Sequence, residues 1–145
     1  VSDFNLKNYL GTWYEIARLD HSFERGLTNI SAEYSVREDG GVRVLNKGLS
    51  IKDNEWNTAE GKAYFVEDEK TAHLKVSFFG PFYGSYVVFK LDSDYQFAFI
   101  TSYNKDYLWF LSRTPQVSDE LKAEFIEVAK SKGFDVQGLI WVEQE

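Results

Sequence analysis

The chain of 145 residues contains no cysteine and no methionine. Thiol catalysis, disulfide bonds and thiolate metal sites are therefore excluded for these residues. Proline and histidine each occur only twice, and no stretch approaches the roughly 18 apolar residues of a membrane-spanning helix. Asp20, His21 and Glu24 lie close together, but three mixed ligands without a fourth make a poor metal site. We therefore expect no metal, no cofactor and no membrane-spanning helix.

Positive charge is also scarce. The chain carries 16 lysine and arginine residues against 23 aspartate and glutamate residues, which gives a formal net charge of −7. A nucleic-acid-binding domain usually carries a basic patch or stripe, and none is visible here. The sequence therefore predicts no nucleic-acid partner, and the acidic balance favours solubility.

Aromatic residues, by contrast, are abundant: 12 Phe, 9 Tyr and 4 Trp make up 17% of the chain. So many large rings exceed the needs of a small core and favour an aromatic-lined pocket or patch. The length suits one domain, 1–145, which would bury roughly 70% of the surface of the unfolded chain. No linker, repeat or low-complexity segment divides the sequence.

Short segments of alternating polar and apolar residues fill most of the chain. Turn sequences rich in Asp and Gly, such as Glu38-Asp39-Gly40-Gly41, separate them. Many short strands in series are typical of a β-sandwich or a β-barrel. The predicted strands lie at 12–21, 29–37, 42–50, 56–66, 72–79, 84–91, 96–103 and 107–113.

A helix is predicted after the eighth strand. Ser118 is a suitable N-cap, and apolar residues recur at helical spacing from Leu121 to Ala129. A short strand at 139–142 follows. One helix cannot cover both faces of an eight-stranded sheet, so the sheet must bury its other face against itself. The sequence therefore predicts an all-β fold: an antiparallel barrel of eight strands, one C-terminal α-helix packed outside it and a short final strand.

The first strand has the least regular pattern, in the stretch LGTWYEIAR. Alternation divides it into two sets, which are Trp13, Glu15 and Ala17 on one face and Tyr14, Ile16 and Arg18 on the other. Each face carries apolar bulk and one charge. Alternation alone therefore does not select the buried face.

Four stretches, GTWYEIAR, DHSFERG, KVSFFGPFYG and DYLWFLSRTP, resemble the lipocalin family and, within it, the bacterial outer-membrane lipoproteins. The likeness extends over essentially the whole chain, through the Gly-x-Trp motif at Trp13, Asp94-Tyr95 before the seventh strand and Arg113 at the end of the eighth. Ser93 stands where the family usually has threonine, a change that keeps the hydroxyl. The resemblance implies an up-and-down barrel with Trp13 inside its closed base and Arg113 across the indole ring.

On this template Glu15 faces the lumen, where an unpaired carboxylate would be costly. Lys90 and Arg113 are its candidate partners near the base. Arg18 and Ile16 would face outward, and Ile16 would meet the helix.

Alternation oriented by the same template predicts the residues that line the lumen and bind a ligand. They are Ile30, Ala32, Tyr34, Val44, Asn46, Gly61, Ala63, Phe65, Val76, Phe78, Val88, Phe97, Phe99, Thr101, Tyr107, Trp109 and Leu111. Small residues on the fourth strand oppose large rings elsewhere, which favours a slot, although a barrel filled by side chains is the alternative.

The sixth strand is ambiguous. Its predicted outer face, with Val87, Phe89 and Leu91, is more apolar than its predicted inner face, with Tyr86, Val88 and Lys90. Either the register is shifted there, or another chain covers that outer face.

The resemblance and the apolar lining together predict a non-enzymatic protein that transports or stores fatty acids or lysophospholipids. A scavenger of haem or other planar apolar molecules is an alternative, as is an enzyme that acts on lipid. A lipid anchor ahead of Val1 would hold the protein at the bacterial outer membrane, on the periplasmic side. Phe82 and Tyr83 at the open mouth would contact the membrane or a second copy in a homodimer, or form a lid.

Overall fold

The structure is a computed structural model in which residues 4–19, 27–79, 82–102, 107–142 and 144 are described, apart from the side chains of Phe78, Phe79, Phe82 and Tyr83. The strands are β1 (Gly11–Leu19), β2 (Leu27–Val36), β3 (Val42–Ser50), β4 (Trp56–Phe65), β5 (His73–Phe79), β6 (Phe82–Leu91), β7 (Phe97–Thr101), β8 (Leu108–Ser112) and β9 (Leu139–Trp141). The helices are α1 (Leu6–Tyr9), α2 (Asp119–Ser131) and a 3₁₀ helix (Val136–Gly138). None of these helices is long and apolar enough to cross a membrane.

Strands β1 to β8 form a closed barrel. Each pairs antiparallel with the next in sequence, β8 pairs with β1, and β1 pairs with β2 from Gly11 opposite Tyr34 to Tyr14 opposite Ser31. Strand β9 lies outside this ring and pairs with the end of β1. The predicted fold, an eight-stranded antiparallel up-and-down barrel with a C-terminal α-helix and a short final strand, is confirmed.

The buried apolar side chains of the described residues form two clusters. The lumen cluster, inside the barrel, consists of Phe4, Tyr9, Trp13, Ala32, Tyr34, Val42, Val44, Ala63, Ala72, Leu74, Val88, Ala98, Ile100 and Leu111. The external core, between the barrel and α2, consists of Ile16, Ala17, Leu19, Phe99, Leu108, Phe110, Phe125, Ala129 and Phe134. Side chains from 4–10 enter the lumen cluster where β1 begins, which we call the base. The opposite end, where β1 finishes, is the mouth.

Helix α2 is positioned by a polar cap and a buried ring. The Ser118 Oγ accepts a hydrogen bond from the backbone N–H of Leu121 at 3.1 Å, as the capping pattern predicts. Phe125 is fully buried. Its ring centroid lies 4.9 Å from that of Phe99 on β7 and 4.8 Å from that of Phe110 on β8. The helix therefore buries its apolar stripe against the outside of the barrel.

A β-bulge in β1, between Glu15 and Ala17, reverses the inside and outside positions. Before the bulge, Glu15 pairs with Leu111 of the lumen cluster. After the bulge, Arg18 pairs with Trp109, which packs against the same cluster. Ala17 instead faces the external core. The expectation that Arg18 faces outward is therefore wrong, because one extra residue shifts the alternation. The expected contact of Ile16 with the helix side is confirmed.

The predicted inner face of β7 is also wrong. Ala98 and Ile100 belong to the lumen cluster. Phe97 and Phe99 pack in the external core, and Thr101 shares their face because the β7–β8 register is continuous. Both faces of this segment are apolar, so alternation does not distinguish them. When the Phe97 and Phe99 rings face α2, more apolar surface is removed from water there than if Ala98 and Ile100 faced α2.

A second bulge, between Val88 and Lys90, explains the ambiguous pattern of β6. Val88 is in the lumen cluster, Phe89 packs against the external core, and Leu91 packs against the lumen cluster again. The Lys90 Nζ lies outside the barrel, 3.8 Å from the Glu124 Oε2 of α2. The register is therefore shifted, which was one of the two alternatives, and Lys90 is not a lumen residue.

The C-terminal segment closes the seam where β1 and β2 separate. Direct pairing of these strands ends at Tyr14 and Ser31. Beyond that point the buried Gln144 donates 2.8 Å hydrogen bonds from its Nε2 to the carbonyl oxygens of Glu15 and Ile30. One side-chain amide thus satisfies a carbonyl on each strand and holds the seam together.

Candidate ligand-binding lumen

Trp13 plugs the base of the barrel and is fully buried. The guanidinium carbon of Arg113 lies over its ring, 3.9 Å from the centroid, which is the arrangement that the resemblance implies. A shielded cation–π contact of this kind contributes ~1–2 kcal/mol. The Trp13 Nε1 also donates a 2.8 Å hydrogen bond to the carbonyl oxygen of Tyr9, so the indole is tied to α1.

Arg113 joins three chain segments around this plug. Its Nη2 donates to the Asn8 carbonyl at 2.8 Å, its Nη1 to the Thr12 carbonyl at 3.1 Å and its Nε to the Tyr95 carbonyl at 3.2 Å. Burial lowers the pKa of Arg113 from its ordinary value, yet a guanidinium remains charged at neutral pH. Gly11 permits the close approach: its φ is +106°, and a Cβ there would lie 3.2 Å from the Arg113 Nη1.

Three tyrosine hydroxyls form the floor of the lumen above the plug. The Tyr86 hydroxyl oxygen lies 2.6 Å from that of Tyr9 and 2.9 Å from that of Tyr34. Because β2 and β6 stand on opposite sides of the eight-stranded ring, Tyr34 and Tyr86 meet across the barrel. The Tyr9 ring lies 4.9 Å from the Trp13 ring. We call these three residues the tyrosine floor.

The tyrosine floor is a neutral site. Burial raises the pKa of Tyr9 and of Tyr86 well above the ordinary value, and the nearby Tyr34 raises both further. The hydroxyls therefore stay protonated at physiological pH and act as hydrogen-bonding groups without charge. The floor is polar but carries no anion or cation of its own.

Burial changes along the inner face of β4. Ala63 belongs to the lumen cluster and the β3–β4 register is continuous, so alternate residues of β4 face inward. Gly61 and Ala63 are buried, whereas Asn57 and Ala59 on the same face are exposed. The exposed part of β4 lies toward the mouth, ahead of the pairing with β5 that begins at Lys62.

Most of the predicted lining residues lie on this inner surface. Those in the lumen cluster or packed against it are Ala32, Tyr34, Val44, Ala63, Phe65, Val76, Val88, Trp109 and Leu111. Asn46 and Gly61 share the same face through the β2–β3–β4 register. Tyr107 stacks on Trp109, with ring centroids 6.0 Å apart. Ile30 is buried, and the Phe78 side chain lies outside the described residues. The wall is thus mainly apolar.

A charged pair is buried in this wall. The Arg18 Nη1 lies 3.4 Å from the Glu15 Oε2, and the two side chains are 3% and 5% exposed. Both residues make further interactions as well. The predicted partners of Glu15 are wrong, because Lys90 lies outside the barrel and Arg113 stacks on the plug. The free energy needed to remove either charge from water would be high if it were buried alone. Pairing of the two side chains offsets part of that cost.

Much of the mouth falls outside the described residues. The segments 20–26, 80–81 and 103–106 are among them, together with the side chains of Phe82 and Tyr83. The prediction of a poor metal site at Asp20, His21 and Glu24 concerns the same undescribed part. In the part that is described, no three His, Asp or Glu side chains are grouped so as to hold a metal ion. At the β3–β4 turn, Ile51 and Trp56 are 69% and 59% exposed, so the mouth presents apolar side chains.

The tyrosine floor is the main feature that sequence reasoning missed. Alternation predicts Tyr34 and Tyr86 as inward residues but does not predict α1, which carries Tyr9. No short sequence motif indicates that side chains of β2 and β6, on opposite sides of the barrel, are in contact. A search for tyrosines on the inner faces of opposite strands is the signal that would have found it.

The comparisons with known proteins agree with this architecture. The profile of the Lipocalin-like domain matches residues 4–144. Outer membrane lipoprotein Blc of Vibrio cholerae is 60% identical over 146 residues, which cover 100% of this chain and 85% of that protein. Outer membrane lipoprotein Blc of Escherichia coli strain K12 is 56% identical over 144 residues, which cover 99% of this chain and 81% of that protein.

A distant solved structure has the same fold. Insecticyanin from the tobacco hornworm superimposes with a TM-score of 0.80 at 23% identity, covering 100% of this chain and 83% of its own. That identity supports the fold alone, whereas the bacterial relatives match at more than twice that level along the whole chain. The chain therefore belongs to the lipocalin family, within its branch of bacterial outer-membrane lipoproteins.

Proposed function

We propose that this lipocalin binds fatty acids or lysophospholipids in its lumen and transports or stores them at the bacterial outer membrane. The observation that carries the proposal is the change along the inner face of β4, from exposed Asn57 and Ala59 to buried Gly61 and Ala63. It favours a lumen with open space above a closed floor over a barrel filled by side chains.

The chemistry of the wall supports an elongated apolar ligand. Ala32, Val44, Val76 and Leu111 supply aliphatic surface, and Trp109 supplies an aromatic face. Each methylene group that leaves water contributes about 0.8 kcal/mol, so an acyl chain gains affinity without directed contacts. A charged head group would remain at the mouth, where it keeps its hydration.

Displacement of a fluorescent fatty acid tests the proposal. The purified protein, freed of lipid, is titrated with a polyene fatty acid whose fluorescence rises in an apolar site. We expect saturable binding and displacement by palmitic acid and by lysophosphatidylcholine. Absence of saturable binding would contradict the proposal. Displacement by haem alone would favour the scavenger of planar molecules instead.

A second assay separates a carrier from an enzyme. Lipocalins are typically binding proteins, and a carrier releases its ligand unchanged. We expect mass spectra of lysophospholipid recovered after long incubation with the protein to show the starting compound only. Accumulation of free fatty acid in proportion to protein concentration would establish turnover and overturn the assignment as a non-enzymatic protein.

The contacts of the mouth with membrane or partner stay predictions, as does a lipid anchor ahead of Val1. The double variant Phe82→Ser and Tyr83→Ser is expected to fold normally and to lose vesicle association or homodimer formation. If both properties persist, the loop acts as a lid over the lumen and not as a contact surface.

A further inference from the structure

The tyrosine floor has more hydrogen-bonding capacity than its internal bonds use. The three hydroxyls carry three O–H protons, and the two bonds between them use two of these protons. When Tyr9 and Tyr34 both donate to the Tyr86 oxygen, the Tyr86 proton is left to donate to a further acceptor. Among the described residues, the Tyr86 hydroxyl has no third partner. In that arrangement Tyr86 donates to a group that is not part of this barrel wall.

Tyr86 is the most accessible member of the tyrosine floor. Tyr9 is 3% exposed and Tyr34 is 7% exposed, whereas Tyr86 is only half-buried. Below the floor, the Tyr9 ring and the Trp13 ring leave the base closed. A ligand that fills the lumen from the mouth would therefore meet Tyr86 with the end that enters first.

We propose that the tyrosine floor, through the Tyr86 hydroxyl, is a hydrogen-bonding site for a neutral oxygen at the inner end of an elongated apolar ligand. The proposal rests on the proposed function and makes it more specific: the substrate class becomes acyl chains with a hydroxyl or carbonyl group at the far end from the head group. An ordinary acyl chain ends in a methyl group, which leaves this position of Tyr86 without a partner.

The chemistry of the floor selects a neutral oxygen over a charged one. The Arg113 guanidinium stacks on the Trp13 ring and donates its hydrogen bonds to backbone carbonyls. Burial, which raises the pKa of Tyr9 and Tyr86, opposes a negative charge at the same place. A carboxylate that entered first would lose its hydration, and the cation that the wall does hold, Arg18, is already paired with Glu15, whereas a hydroxyl group needs only a hydrogen-bond partner.

The test compares palmitic acid with ω-hydroxypalmitic acid, each with its shorter and longer homologues, by displacement of the fluorescent fatty acid. In the unmodified protein the ω-hydroxy acid of the best-fitting length should bind within about threefold of the plain acid. The variant Tyr86→Phe should weaken the ω-hydroxy acid about tenfold relative to the plain acid, since a buried hydroxyl without a partner costs ~1.4 kcal/mol or more. Tyr64→Phe is the matched control, because the Tyr64 hydroxyl bonds to Asp39 on the outer surface.

An unchanged ratio of the two affinities in Tyr86→Phe overturns the inference while leaving the proposed function intact. Failure of the unmodified protein to bind palmitic acid overturns the proposed function and the inference with it. If Tyr86→Phe does not fold, the affinity of the unmodified protein is measured for ω-hydroxypalmitic acid and for a palmitic acid hydroxylated in mid-chain. That acid should bind about tenfold more weakly than the ω-hydroxy acid, because a mid-chain hydroxyl does not reach Tyr86 and the wall beside it is mainly apolar. Equal affinities of the two hydroxy acids would overturn the inference.

Discussion

The guanidinium carbon of Arg113 lies 3.9 Å from the centroid of the Trp13 ring, over a plug that closes one end of the barrel. Trp13 lies near the start of the first strand of the barrel, and Arg113 directly follows the eighth. Their contact therefore joins the two ends of the ring of strands. A ligand that enters the lumen must do so from the opposite end.

Removal of either partner of this contact should destabilise the barrel. Trp13→Ala leaves a large cavity in the lumen cluster and is expected to cost about 3–5 kcal/mol. Arg113→Ala loses the cation–π contact and hydrogen bonds to three segments, which together should cost at least about 2 kcal/mol. Urea unfolding measures both effects. Arg113→Lys keeps the charge but not the planar fork, so it should recover only part of the loss. Unchanged midpoints for both alanine variants would contradict the structural role of the plug.

The buried pair of Glu15 and Arg18 should respond as a coupled unit. Glu15→Ala leaves a guanidinium in an apolar wall and is expected to lower the free energy of unfolding by about 3–5 kcal/mol. The double variant Glu15→Leu with Arg18→Met removes both charges and should be more stable than Glu15→Ala. A double-mutant cycle of Glu15→Leu, Arg18→Met and the double variant measures the coupling free energy between the two side chains. Strictly additive effects would show that the two side chains do not interact.

Gln144 should stabilise the seam between β1 and β2. Gln144→Glu keeps the size of the side chain but removes the two N–H donors that bond to the carbonyls of Glu15 and Ile30. Two carbonyl groups would lose their partner, so we expect a loss of about 2 kcal/mol or more. Hydrogen exchange at 14–19 should also become faster, because this part of β1 loses its tie to β2. Gln116→Glu, which affects only the bond to the Gln144 carbonyl, is the milder control.

Alkaline pH should destabilise the tyrosine floor. The folded-state pKa of Tyr9 and of Tyr86 is raised above the unfolded value, so the neutral phenols contribute their full stability below the ordinary tyrosine pKa of 10.0. That contribution is lost as pH rises past this value toward the folded-state pKa. The urea midpoint should therefore fall between about pH 9 and about pH 11. The fall should be smaller for Tyr86→Phe than for the unmodified protein. Equal slopes for the two proteins would contradict the burial of the Tyr86 hydroxyl.

The architecture was predictable because strand alternation, turn chemistry and the helix cap all indicate the same fold. The failures have local physical causes. The stretch around Glu15 has apolar bulk on both faces, and a bulge places Glu15 and Arg18 inside together. Alternation assumes that each residue of a strand lies opposite one residue of its neighbour. It therefore does not anticipate a bulge, in which two residues lie opposite one. The mixed pattern itself was the only sign of the bulge.

The lining of the lumen was predictable only where the two faces of a strand differ in size or polarity. On β4, the small residues Gly61 and Ala63 alternate with Lys62, and the predicted face is correct. On β7, Phe99 competes with Ile100 for the inside, and the external core takes the larger ring. That choice depends on α2, which lies distant in sequence. Such competition between two apolar environments is decided by tertiary packing and not by local pattern.

If the lumen above the tyrosine floor holds the ligand, a larger side chain at Ala59 should exclude it. Ala59 faces this space on β4 and is exposed, so a larger side chain there occupies open volume and not the lumen cluster. The adjacent Thr58 is on the opposite face of the same strand and is also exposed. Tryptophan is tolerated in strands at either position.

Binding of the fluorescent fatty acid to Ala59→Trp and to Thr58→Trp is the deciding measurement, with the urea midpoint of each variant recorded beside it. The ligand site inside the barrel predicts a loss of affinity of at least about tenfold for Ala59→Trp, equivalent to ~1.4 kcal/mol, with near-normal stability. Thr58→Trp should bind as the unmodified protein does. Equal, undiminished binding by both variants would contradict a ligand site in the lumen.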